Sequence, residues 1–169
     1  MDITQVILDD HAEQRRLFAA LEDIGPQHPD ALAAVWKRLR ALLDTHAEAE
    51  ERLFYPALVA LGKRTRDDEE DEETEDAIHD HNEIRDAASA VEHEVVGSEA
   101  WFGALAEADE VNGDHMAEEE REGLTDFRRK VSLEERHDLA VRFLAFESSH
   151  MLGVKPVDKD PKEYVRENG

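Results

Sequence analysis

Apolar residues recur along this chain at intervals of three and four, the period of helices that each bury one face. Ile3, Ile7, Phe18 and Leu21 trace a first helix to about Ile24, with Thr4 or Asp2 placed to cap it, and Gly25-Pro26-Gln27-His28-Pro29 stops it. Asp30 stands at an N-cap position, and Leu32, Val35, Leu39, Leu42, Leu53, Leu58 and Leu61 carry a long second helix to about Gly62. Pro56 predicts a kink there, because proline removes a backbone donor and clashes with the preceding turn. From Lys63 to Asp76 the chain is almost wholly charged, and the block Asp67 to Glu73 predicts a solvated linker. A third helix follows through Ile78, Ile84, Ala88, Val91 and Val95, ended by Gly97. Ser98 caps a fourth through Trp101, Leu105, Ala108 and Val111 to about Arg121. A fifth is expected from Leu133 to Met151 through Leu139, Phe143 and Phe146, and residues 152–169, with Pro156 and Pro161, read as a flexible tail. The expectation is four helices plus an accessory one.

The length of 169 residues suits one domain, and 40% hydrophobic with 37% charged residues suits a helical, soluble chain. A formal charge of -23 repels phosphate backbones and anionic headgroups, so neither nucleic acid nor a membrane surface is an expected partner. The absence of cysteine excludes disulfides, thiolate metal sites and cysteine nucleophiles. Met1 leads into Asp2-Ile3-Thr4-Gln5 with no signal-like apolar run, so a cytoplasmic location is expected.

An internal repeat carries the chemistry. Asp10-His11 followed by Arg15, and Asp80-His81 followed by Arg85, both read D-H-x-x-x-R. His46, Glu50, Glu51, Arg52 and His115, Glu119, Glu120, Arg121 both read H-x-x-x-E-E-R. His81 follows His11 by 70 positions and His115 follows His46 by 69, so two helical hairpins look like duplicates. Residues four apart share a helix face, so His46 projects with Glu50 and His115 with Glu119. All four histidines continue apolar stripes and are expected to point inward. Four imidazoles and two carboxylates in a bundle core need compensation, which a pair of cations provides. Nitrogen and oxygen donors without sulfur suit iron, manganese or zinc.

With these motifs the chain resembles the hemerythrin family, specifically its HHE cation-binding branch, over residues 1 to about 130. The resemblance implies an all-α, antiparallel up-down-up-down four-helix bundle, with residues 131–151 as an accessory C-terminal helix. It implies two iron ions, ferrous or ferric and oxo- or hydroxo-bridged, held by His11, His46, Glu50, His81, His115 and Glu119. Two departures separate the chain from oxygen-carrying hemerythrin. Ala77 stands where that family has a further histidine, and His115-x-x-x-Glu119 replaces His-x-x-x-x-Asp. The resemblance therefore implies a di-iron protein that binds or processes dioxygen, hydrogen peroxide or nitric oxide, with catalase-like peroxide disproportionation or dioxygen binding as the expected activities. The alternative is a non-catalytic sensor or carrier of oxygen, nitric oxide or iron. Since one chain supplies every ligand, a monomer is expected, with an electron donor of unknown identity.

Among the remaining candidates, Tyr55 lies 140° from Glu50 on an ideal helix, and only a disturbance at Pro56 would turn it toward the site. His150 reaches a metal only if the fifth helix folds over the bundle. Arg15 and Arg85 are placed either to hold carboxylates behind the ligands or to form surface ion pairs. His28, His79 and His93 are expected at the surface, and Glu134-x-x-His137 and Glu147-x-x-His150 share one helix, so they cannot supply facing pairs.

Overall fold

The computed structural model describes residues 1–65 and 69–168, and every regular element among them is helical. Helix α1 (Ile3–Ile24) starts at Asp2, whose side chain accepts from the Thr4 amide at 3.1 Å, and ends at Gly25 with φ 68. That left-handed value is one glycine adopts without strain. Helix α2 (Pro29–Ala49) starts one step earlier than expected: Pro29 opens it after His28, and Asp30 sits in the first turn. A fixed φ and a missing N–H cost nothing there.

The predicted kink is a π-helical turn, Glu50–Phe54, in which the Tyr55 amide donates to the Glu50 carbonyl five residues back. Its widened ring comes directly before Pro56, which an ordinary α-turn would accommodate poorly. Helix α3 (Tyr55–Thr65) continues beyond it.

The charged segment differs from the expected linker. Helix α3 runs through Lys63 to Thr65, and α4 (Glu69–His93) begins inside the acidic block; residues 66–68 of that block lie outside the described residues. Thr74, Ala77 and Ile78 are buried, and this is what anchors the segment. Val95, expected on the apolar stripe, is 77% exposed because α4 has already ended. Helix α5 (Glu99–Arg121) is capped by Ser98, whose hydroxyl accepts from the Trp101 amide at 3.1 Å. A short helix, α6 (Gly123–Lys130), precedes α7 (Leu133–Ser149), which starts with a capping box between Ser132 and Glu135.

The flexible tail is also corrected: α8 (Pro161–Asn168) forms in it and buries Tyr164 against the rest of the protein. The sequence marked only its prolines, and Pro161 is an ordinary first residue of a helix.

Helix α4 packs along α5 and α3, α1 along α2 and α5, α7 on α1 and α2, and α8 on α4 and α3. The buried apolar residues form two clusters. One gathers Ile3, Ile7, Phe54, Leu58, Ile78, Leu124, Phe127 and Phe143; the other Leu17, Phe18, Leu21, Leu32, Trp36, Leu39, Trp101 and Leu105. On each of the four main helical stretches a group of buried polar residues falls between them: His11 and Gln14, His46 and Glu50, His81 and Arg85, and Asn112, His115 and Glu119. A polar belt thus crosses an otherwise apolar interior. No helix among the described residues is long and apolar enough to cross a membrane.

The second cluster supports the fold without touching the belt's chemistry. Trp101 is 1% exposed and packs edge-on against Trp36 at 6.3 Å. Trp101→Ala should cost about 3–5 kcal/mol in urea unfolding of the metal-free protein and leave metal stoichiometry unchanged in protein that remains folded.

Candidate metal centre

All six predicted ligands are buried in the belt. The ligand atoms of His11, His46 and Glu50 lie within 4.8 Å of one another, and so do those of Glu50, His81 and His115. Glu50 belongs to both groups: one oxygen is 3.0 Å from His46 Nε2 and the other 3.3 Å from His81 Nε2. Glu119 is placed differently, with Oε2 3.3 Å from His11 Nε2 and Oε1 accepting from the Tyr55 hydroxyl at 3.2 Å.

Several of these atoms face each other without satisfying each other. His11 Nε2, His46 Nε2, both oxygens of Glu50 and Glu119 Oε2 are buried with no hydrogen-bond partner among the described residues. Orphaned buried nitrogens and carboxylate oxygens cost several kcal/mol between them unless a cation takes them. This donor set of four imidazoles and two carboxylates fits divalent transition-metal ions.

Behind each histidine stands a carboxylate on the other ring nitrogen. Glu120 lies 2.9 Å from His11 Nδ1, Glu51 2.8 Å from His81 Nδ1 and Asp80 3.2 Å from His115 Nδ1, each within hydrogen-bond geometry, while Asp10 stands 3.4 Å from His46 Nδ1 as an ion pair without a hydrogen bond. A carboxylate only accepts, so it favours the proton on Nδ1 and directs Nε2 inward as the ligand atom. Arg15 then donates to Glu120 at 2.8 Å and Arg85 to Glu51 at 2.6 Å. The repeated motifs acquire a complete meaning. The Asp of D-H serves the histidine of the neighbouring hairpin helix, the second Glu of E-E serves the D-H histidine, and the Arg of D-H-x-x-x-R holds that Glu. Sequence reasoning placed the two arginines but left these carboxylates unassigned; their doubling at the same offsets was the available signal. Arg52 and Arg121, also repeated, do not reach the belt: Arg52 pairs with Glu48 and stands over the Phe146 ring at 5.5 Å, and Arg121 pairs with Glu118 and Glu122.

Tyr55 reaches the belt. The π-turn carries its buried ring to His81, the hydroxyl 3.5 Å from Nε2. Burial, followed by the charges of Glu119 and Glu50, pushes its phenol well above the usual range, so it keeps its proton. His150 does not reach the belt: its Nδ1 bonds the Phe146 carbonyl at 2.8 Å and its ring packs on Phe146. His79 is exposed and paired with Glu83. Glu147 lies beside Asp10 and His46, where burial and the Asp10 charge raise its carboxyl to about 8.

A cavity of about 430 Å³ opens beside the centre, with Tyr55, Ala77, His115 and Glu119 among its walls and Glu72, Asp76, Glu118, Glu122 and Asp126 toward its mouth.

In the metal-free chain protons take the place of cations. Burial would lower His81, but hydrogen bonds and charges from Glu50 and Glu51 lift it to about 9. His46 is likewise raised against its burial by Glu50 and Asp10, and Glu50 is lowered against its own by His46 and His81.

A family model described as the hemerythrin HHE cation binding domain matches residues 2–125, which include all six predicted ligands. No curated protein and no solved structure matches the chain.

Since His81 is raised from 6.5 to about 9, its stabilising contribution is full below pH 6.5 and is lost as pH rises through 9. A cation at Nε2 must displace that proton. Calorimetric titration at pH 7 in buffers of different ionisation enthalpy should therefore report proton release, and affinity should climb from pH 6 toward 9.

Proposed function

The chain belongs to the hemerythrin HHE cation-binding family, and from that premise we propose that it is a non-haem di-iron protein that binds or processes a small oxidant: hydrogen peroxide, dioxygen or nitric oxide. His11, His46, Glu50, His81, His115 and Glu119 would hold two irons, in four main helices running up-down-up-down. The observation that carries this reading is the set of inward Nε2 and carboxylate atoms that are buried and unpartnered. Since every proposed ligand comes from one chain, a monomer suffices; a cytoplasmic setting and an external electron donor belong to the same proposal.

When bound, two irons supply Lewis acidity and electrons for a small oxidant. The remaining work falls to the chain's own residues. Phe54, Leu58, Phe127 and Phe143 keep bulk water from one side of the belt, and Leu17, Trp36 and Leu39 from the other. Glu120, Asp10, Glu51 and Asp80 hold the imidazoles in register. The cavity against Tyr55, Ala77 and Glu119 gives a small molecule a way in, and Tyr55 offers it an O–H donor. Catalase-like disproportionation of peroxide is the leading activity.

The Tyr55 hydroxyl, on the wall of the cavity and 3.2 Å from Glu119, favours a second reading. Such a group stabilises a bound diatomic by donation without giving the proton up, which suits a carrier or sensor of dioxygen or nitric oxide.

Protein purified without added metal should contain close to two irons per chain by elemental analysis. Iron-loaded protein given hydrogen peroxide should evolve oxygen, and Glu50→Ala should reduce both metal content and turnover at least tenfold. Turnover no faster than free iron retires the enzyme reading. Reversible charge-transfer changes without net chemistry support the carrier.

A further inference from the structure

The repeat makes the two halves of the centre nearly superimposable in sequence, so any one-sided feature stands out. Glu120 behind His11 and Glu51 behind His81 are equivalent positions, each bound by the equivalent arginine. Their surroundings differ sharply. Glu120 is 28% exposed and Arg15 44%, whereas Glu51 is fully buried and Arg85 is 6% exposed.

The difference comes from a segment beyond the matched residues 2–125. Lys159 Nζ bonds the second oxygen of Glu51 and also reaches Glu48 at 3.1 Å, while the Tyr164 hydroxyl donates to the Glu51 carbonyl. The Lys159 backbone is held by both ends of one amide: Asn82 Nδ2 donates to its carbonyl at 2.8 Å and its N–H donates to Asn82 Oδ1 at 3.1 Å. Asn82 follows His81 directly and also accepts from Arg85 at 3.2 Å. The receiving residues are themselves one-sided. At the repeat offsets, the position matching Asn82 is Ala12 and that matching Glu48 is Ala117, neither able to take such a segment.

We infer that the C-terminal segment Lys159 to Tyr164 is a positioning device that makes the two halves of the metal centre unequal, fixing the carboxylate behind His81 while its counterpart behind His11 stays loosely held. The inference rests on the proposed ligand reading of the six residues and adds residues outside the matched domain to it. Two cationic side chains share Glu51, where among the described residues Arg15 alone serves Glu120. The His81 imidazole is thereby fixed in direction, with less freedom to rotate away from a cation than His11 has.

The test is titration of the metal-free full chain with cobalt(II), followed by its visible absorption in competition with a chelator. Wild type should bind two ions. Lys159→Met should weaken one by tenfold or more and leave the other unchanged, and Lys159→Arg should recover most of the loss. Asn82→Ala, which frees the segment from a different contact, should weaken the same site. In a His81→Ala background the further effect of Lys159→Met should vanish, since both act on one position. Two ions lost in parallel, or neither weakened, overturns the inference while leaving the ligand reading intact. A wild-type chain that takes up no cobalt overturns both.

Discussion

Everything in this structure is organised around the electrostatic cost of the polar belt. Four buried glutamates, Glu48, Glu50, Glu51 and Glu119, share the interior with four buried histidines. Neither set tolerates burial alone, because an isolated carboxylate or imidazolium in a low-dielectric core is unfavourable by several kcal/mol. In the metal-free chain the balance is struck with protons, which His46 and His81 hold more firmly than free imidazoles do. The donor set, the outer carboxylates and the arginines form one network, and cations at its centre would exchange those protons for coordination.

The two apolar clusters make the belt affordable. They lie on either side of it and bury most of the large side chains, so the interior's polar content is confined to about one layer of the helices. Asn112 adds a further polar pair to the layer, its Nδ2 donating to Gln14 Oε1 at 3.0 Å. The repeat is used twice over: each hairpin pairs its own Asp with its own second histidine, and lends its second Glu to the other hairpin's first histidine and arginine.

Much of this was legible in the sequence, and for a physical reason. Two of the candidate His–Glu pairs sit four apart on helix faces and all six candidate residues recur at fixed offsets, so periodicity and repetition expose them without knowledge of the fold. Helix starts at Asp2 and Ser98 were readable because capping is local. The parts that escaped depend on tertiary contact. The acidic run at Asp71 to Asp76 has the composition of a linker, and only the burial of Thr74, Ala77 and Ile78 makes it a helix. Tyr55 was placed off the site by an ideal helical period, which the π-turn at Glu50–Phe54 breaks. Lys159 and Tyr164 have no periodic signal at all, since they meet Glu51 across more than a hundred residues of chain.

The cavity beside Tyr55 has a charge as well as a size. Where a further histidine belongs in the oxygen-carrying relatives, Ala77 leaves open space, and the mouth above it presents Glu72, Asp76 and Asp126. Arg121, the one arginine or lysine among its described lining residues, is already engaged by Glu118 and Glu122. Such an entrance sorts visitors by valence before any coordination chemistry begins. Halide, azide or superoxide approaches against the local field and is slowed most in dilute buffer, where screening is weakest, while uncharged gases and neutral peroxide pass at the rate set by diffusion and width.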